Sequence, residues 1–157
     1  MNEIIEQISA KVPNREQINK LQEEVSKLPQ AKDMVTDHFF ADGMYSRRVF
    51  RKAGTLIIGK VHKKDHLFIC TKGEIIAWTE KGMKKLSAGD IIECKRGTKR
   101  VTLATMDSIG TTVHRTDKTD LDEIEAELIE PDETALFDSS NKLKSIVIEC
   151  QKMALEG

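Results

Sequence analysis

The chain has 157 residues, of which 39% are hydrophobic and 32% charged, and its formal net charge at pH 7 is -1. These proportions are typical of a globular protein and exclude a fibrous or disordered chain. No apolar run approaches the roughly 20 residues of a membrane span, and no apolar signal segment follows Met1. We therefore expect a cytoplasmic protein without membrane contact.

The first 35 residues predict a helical arm. Ile18, Leu21, Val25 and Leu28 recur at intervals of three or four residues, and Pro29 ends the pattern. Such an apolar stripe could pack on its own domain or against a second subunit, and the spacing leaves both open.

Residues 36–116 predict a mainly β domain, because short runs rich in Val, Ile and Thr alternate with turn sequences. The runs are TLIIGKVH, HLFIC, EIIAWTE, IIECK, RVTLAT and IGTTVH. Six of the seven aromatic residues lie between positions 39 and 78, so we expect the main core there. Cys70 and Cys94 fall in predicted strands, where small core residues are expected, and with Cys150 they show no CxxC spacing.

Residues 117–157 predict an acidic helical extension and a tail. Asp120 is a candidate N-cap before Leu121, Ile124 and Leu128, and positions 141–155 could form a helix or a strand that leads into one. Nine acids and one lysine lie between positions 117 and 133, whereas positions 36–115 hold 16 basic and 8 acidic residues. The acidic segment could fold over the basic middle, which argues against a nucleic-acid partner.

The glycines and turns of the β domain resemble those of the cupin superfamily. The first cupin motif, with glycines at both ends around two histidines and a glutamate, places Gly54 and Gly73 at its ends. Lys60 and His62 then stand at the two histidine positions, and His66 stands at the glutamate position. The resemblance implies a single jelly-roll barrel, so the predicted fold is mainly β with an N-terminal helical arm and a C-terminal helical extension.

The second cupin motif begins at Gly89 and Asp90, continues through Lys95-Arg96-Gly97, and places Arg100 where the family has a histidine. Two of the four metal ligands that the resemblance implies are therefore basic residues, which do not bind metals in the usual way. The string from Gly54 to Leu86 is also similar to small cupin-like proteins encoded by tailed bacteriophages.

Two kinds of site remain open beside a purely structural role, in which the histidines bond to backbone or water and Lys60 and Arg100 reach solvent or pair with acids. His62 and His66 flank a predicted turn and could meet His114 of a later strand, which would give a site for a single transition metal. Alternatively, Lys60 and Arg100 would point inward beside the histidines and bind a small anionic ligand without any cofactor. A weaker possibility is acid/base chemistry by a histidine paired with Tyr45 or Lys60.

These alternatives lead to two function classes. The first is a non-enzymatic phage-type module, assembled as a homo-oligomer, which binds a small anion in the host cytoplasm or associates with virion proteins. The second is a metal-dependent cupin enzyme that acts on a small oxygenated substrate through His62, His66 and His114. The sequence favours the first because the usual metal ligands of the family are replaced.

Overall fold

The computed structural model describes residues 14–31, 34–79 and 81–132. Within them lie nine strands: β1 (Thr36–Ala41), β2 (Met44–Arg51), β3 (Leu56–Ile58), β4 (His66–Lys72), β5 (Glu74–Thr79), β6 (Gly82–Ser87), β7 (Ile91–Cys94), β8 (Val101–Ala104) and β9 (Ser108–Arg115). Two helices flank them, α1 (Arg15–Ser26) and α2 (Leu121–Leu128). The expectations for the first residues of the arm, for Cys150 and for the tail after position 132 lie outside the described residues.

The strands form two antiparallel sheets. One has five strands in the order β1-β2-β9-β4-β7, and the other has four in the order β3-β8-β5-β6. The chain therefore has the predicted fold class, a mainly β jelly roll of two sheets with a helix before and a helix after it. The sequence reading did not resolve the hairpin β1–β2, nor β6, as strands.

The main core lies between the two sheets. Side chains alternate along each strand, so that one face of each sheet supplies the core. It consists of Phe68, Cys70, Ile75, Ala77, Leu86, Ile92 and Cys94. Both cysteines are at most 1% exposed and neither forms a disulfide, which confirms their prediction as small core residues.

Helix α1 packs on the outer face of the four-stranded sheet. Asn14 and Gln17 form a capping box that satisfies backbone N–H groups at its start. Ile18 is buried against Trp78, Val101 and Leu103. The described part of the apolar stripe therefore packs within its own chain. The homo-oligomer, for which the arm was one candidate contact, stays a prediction.

The region predicted to hold the main core contributes Phe68, Cys70, Ile75 and Ala77 to it, but the core extends on to Cys94 and three aromatic residues of the region remain exposed. Phe39, Phe40 and Phe50 are 48%, 41% and 38% exposed. The Arg48 guanidinium lies 5.1 Å from the ring centre of Phe39 and 5.4 Å from that of Phe50, which makes cation–π contacts on the outer face of β1 and β2. Alternation then turns Tyr45 of β2 inward, where it is buried.

Helix α2 lies on a basic stretch of its own chain. Asp120 caps it as predicted, accepting a hydrogen bond from the N–H of Glu123. Lys60 and Glu125 form an ion pair at 2.6 Å, and Lys64 and Glu127 form another at 2.8 Å. Part of the acidic segment thus pairs with the basic middle of the same chain. Among the described residues, no helix combines the length and the apolar character of a membrane span.

The turn between β4 and β5 joins the two sheets and packs closely against the start of β9. Gly73 has a φ of +78°, and an added Cβ would collide with the Ser108 side chain and the Asp107 carbonyl. We expect Gly73→Ala to lower the free energy of unfolding by about 2–4 kcal/mol, from backbone strain plus the collision. Gly82→Ala is the matched control, because Gly82 also has a positive φ but open space around it. Equal losses in urea titrations of both variants would contradict the role of the collision.

Candidate metal centre and its cavity

Two histidines meet because β9 lies between β2 and β4. Leu67 is paired with Val113, so the preceding His66 and the following His114 are neighbours on the inner face of the sheet. Their ring centres are 4.7 Å apart. On the other side of β9, Tyr45 is paired with His114 and its ring stacks on the histidine at 5.7 Å.

His62 reaches the same place from the irregular segment between β3 and β4. The Lys63 N–H donates to the Leu128 carbonyl at 2.7 Å, and the Glu130 N–H donates to the Val61 carbonyl at 2.9 Å. The end of α2 therefore holds the segment on both sides of His62.

The three imidazoles converge closely enough to hold one ion. The ring centre of His62 lies 4.1 Å from that of His66 and 5.2 Å from that of His114. One possible ligand atom from each residue lies within 4.8 Å of the others. Metal–nitrogen bonds of about 2.1 Å place tetrahedral ligand atoms about 3.4 Å apart, so side-chain rotations that bring the nitrogens up to about 1.4 Å closer would complete a site. The structure thus brings together the three predicted metal ligands.

The hydrogen bonds of the rings decide which nitrogens can bind a metal. Nδ1 of His62 lies 3.1 Å from the Lys60 carbonyl, and a proton shared there leaves the lone pair on Nε2. Nε2 of His114 lies 2.8 Å from the Thr112 hydroxyl. Nδ1 of His66 is buried and forms no well-directed hydrogen bond with a described residue, although a contact with the Lys64 backbone raises the pKa of His66. This ring is therefore only weakly partnered within the described residues.

Burial keeps all three rings neutral. Loss of hydration lowers the pKa of His62 to about 2, that of His114 to about 3 and that of His66 to about 4. Repulsion by neighbouring rings adds to this effect for His62 and His114, and the positive charge of Arg100 adds to it for His66. Neutral imidazole is the form that coordinates metals.

The histidines line a cavity of about 430 Å³ whose walls come from both sheets, α2, the end of α1 and the segment that follows α1. Its charged lining has more basic than acidic groups, namely Arg47, Arg51, Lys60 and Arg100 against Glu125 and Asp132. Lys60 and Arg100, the two residues that the motif comparison selected, thus both line the cavity with the histidines. The charge of Lys60 is balanced by Glu125, whereas Arg100 is close enough to lower the pKa of His66.

Sequence reasoning missed Arg47 and Arg51. Their signal was the alternation in β2, where they share the inward parity of Tyr45 and Val49. It also assigned no role to His38, whose Nδ1 lies 2.7 Å from the Tyr45 hydroxyl. This pair, which the linear spacing did not indicate, forms because β1 and β2 are adjacent strands.

No known family model matches the chain, and no curated protein does. Similar solved structures include the cupin-2 domain of an XRE family transcriptional regulator from Enterobacter cloacae, with 10% identity over 55% of this chain and 100% of that one (TM-score 0.48). KdgF from Halomonas sp. is also similar, with 13% identity over 58% of this chain and 98% of that one (TM-score 0.48).

The DMSP lyase DddQ from Ruegeria pomeroyi DSS-3 has 16% identity over 56% of this chain and 49% of its own (TM-score 0.48). These similarities are weak, so the fold assignment rests on the strands and sheets of the chain itself. The likeness to proteins of tailed bacteriophages stays a prediction.

The buried histidines predict a marked loss of stability in acid. Their folded pKa values lie below the ordinary 6.5, so the unfolded chain takes up more protons as the pH falls through that value. Stability is therefore complete above about pH 7, and in chelator we expect up to about 2 kcal/mol per ring to be lost between pH 7 and pH 5. Denaturant titrations at a series of pH values give the free energy of unfolding, which should fall less steeply with decreasing pH in His114→Gln than in the unsubstituted chain. A flat profile for the unsubstituted chain would contradict this assignment.

Proposed function

We propose that the chain is a metal-dependent enzyme that holds one divalent transition-metal ion on His62, His66 and His114. The observation that carries this proposal is the convergence of three neutral imidazoles on one cavity wall. The cavity suits a small organic substrate, since ligand pockets of a few hundred cubic ångströms are typical of such molecules.

The donor set fits a transition metal. Neutral imidazoles suit zinc, iron, cobalt, nickel and copper, and three protein ligands leave positions open for water or substrate. When bound, such an ion supplies Lewis-acid activation of a substrate oxygen. A purely structural role for three buried rings would favour well-directed partners for every polar nitrogen, whereas His66 has only a poorly aligned contact with the Lys64 backbone.

Other side chains of the site can hold and move a proton. The Tyr45 ring stacks on His114, and its hydroxyl is hydrogen-bonded to the partly exposed His38. Burial raises the pKa of Tyr45, so the hydroxyl keeps its proton at neutral pH. The pair can thus exchange a proton between the neighbourhood of the triad and solvent.

The non-enzymatic alternative is a phage-type module that binds a small anion or associates with virion proteins. Its cytoplasmic or virion location, its homo-oligomeric state and its partners stay predictions. The anion-binding part of this alternative is compatible with a metal centre, because a cavity with several guanidinium groups favours an anionic molecule beside the ion.

Metal content tests the proposal directly. After chelator treatment and dialysis against zinc, nickel or manganese, we expect one ion per chain by elemental analysis for at least one metal. His62→Ala and His114→Ala should each weaken binding by more than about 100-fold, because loss of a direct ligand exceeds the usual effect of outer residues.

His38→Ala is the matched control, since His38 is the remaining histidine of the chain and is not in the triad. It should still bind one ion. If the unsubstituted chain binds none of the three metals, or if His62→Ala binds as well as the control, the metal centre is refuted.

A further inference from the structure

The cavity that the histidines line also contains the buried guanidinium group of Arg51. Arg51 ends β2, faces inward and is only 8% exposed. Its guanidinium carbon lies 5.3 Å from the ring centre of Phe68. Gly110 makes room for it, because a Cβ at that position would be 2.9 Å from Nη2. The packing therefore encloses a guanidinium group within a largely apolar part of the cavity.

The described residues only partly satisfy this guanidinium. Nη1 donates to the Thr102 hydroxyl at 2.7 Å. Nε is buried without a hydrogen-bond partner, and Arg51 forms no ion pair, among the residues that the structure describes. A buried cation without a counter-charge costs several kcal/mol, and such a group is usually paired with a carboxylate or phosphate.

The group remains a cation at neutral pH. Burial, and next the charge of Arg47, lower the pKa of Arg51 to about 10, which is still well above 7. Arg47 also adds to the lowering of the pKa of His62 and His114, so its charge lies within electrostatic range of both the triad and Arg51. Positive charge therefore extends along the cavity from the histidines to Arg51.

We propose that Arg51 and Thr102 bind the carboxylate of a small organic acid within the cavity. The guanidinium charge attracts a carboxylate, and the Thr102 hydroxyl, which accepts a hydrogen bond from Nη1, can donate its own proton to a carboxylate oxygen. Phe68 provides an apolar surface for the rest of such a molecule. This inference deepens the proposed function and rests on it in one respect: the same molecule would extend toward the triad as substrate.

The cavity gives such an acid access to Arg51. Its lining includes the exposed residues Ala53 and Gly54, which follow Arg51 closely in the chain. A volume of about 430 Å³ accommodates a small mono- or dicarboxylate together with water.

Calorimetric titration of the chelator-treated full chain tests this site. The probes are malonate, succinate and benzoate, with inorganic phosphate as a comparison and sodium chloride to match ionic strength. We expect saturable binding of at least one carboxylate, and Arg51→Met should weaken it by at least tenfold, since charge-assisted hydrogen bonds are lost. Arg51→Lys, which keeps the charge but not the planar fork, should bind with intermediate affinity.

Arg48→Met is the matched control, because Arg48 lies on the same strand but on the outer face and is paired with Asp37 at 2.7 Å. Its carboxylate affinity should be unchanged. Without a probe, Arg51→Met should unfold at the same or a higher temperature, because it removes an uncompensated buried charge.

Three results would overturn the inference: no carboxylate binding by the unsubstituted chain, equal binding by Arg51→Met, or tighter binding of phosphate than of every carboxylate. The metal-binding measurements show separately whether the proposed function fails. If it fails, His62→Ala and the unsubstituted chain bind metals equally, whatever the carboxylate titrations show.

Discussion

The pairing of β9 with β2 on one side and β4 on the other determines which side chains face the cavity. Alternation along these strands turns Tyr45, His114 and His66 inward as one row, and a slip of one residue in any strand would turn its members outward. The same parity carries Arg51 inward at the far end of β2. One register therefore sets both the histidine site and the buried guanidinium.

The third histidine depends on a different constraint. His62 lies outside the strands, and the chain returning after α2 fixes it through backbone hydrogen bonds on either side. Exposed ion pairs contribute little, about 0–1 kcal/mol each, so the burial of Ile124 and Leu128 against Tyr45 contributes more to the docking of α2 than its surface charges do. The acidic extension is therefore part of the site and not only a cover for basic residues.

Much of the fold could be predicted from the sequence because its strands are short, alternate regularly and are punctuated by turns. Cys70 and Cys94 were recognisable as core residues for the same reason. Composition alone does not place each aromatic residue, because β1 and β2 carry large side chains on both faces, and Phe39 and Phe50 contact Arg48 outside the core. The three histidines could be named, but their convergence depends on where the chain leaves β3 and how α2 returns, and both are tertiary features.

The two proposed sites bind ions of opposite charge, and this couples them. A dication on the triad would be repelled by the guanidinium groups of Arg47 and Arg100, whose charges already lower the pKa values of the histidines. A carboxylate on Arg51 brings a negative charge into the same cavity and reduces that repulsion. Linkage then requires the reverse effect, so that a metal on the triad strengthens binding of the anion by the same factor. On this view the basic wall does not compete with a metal centre, since an anionic substrate supplies negative charge beside both Arg51 and the ion.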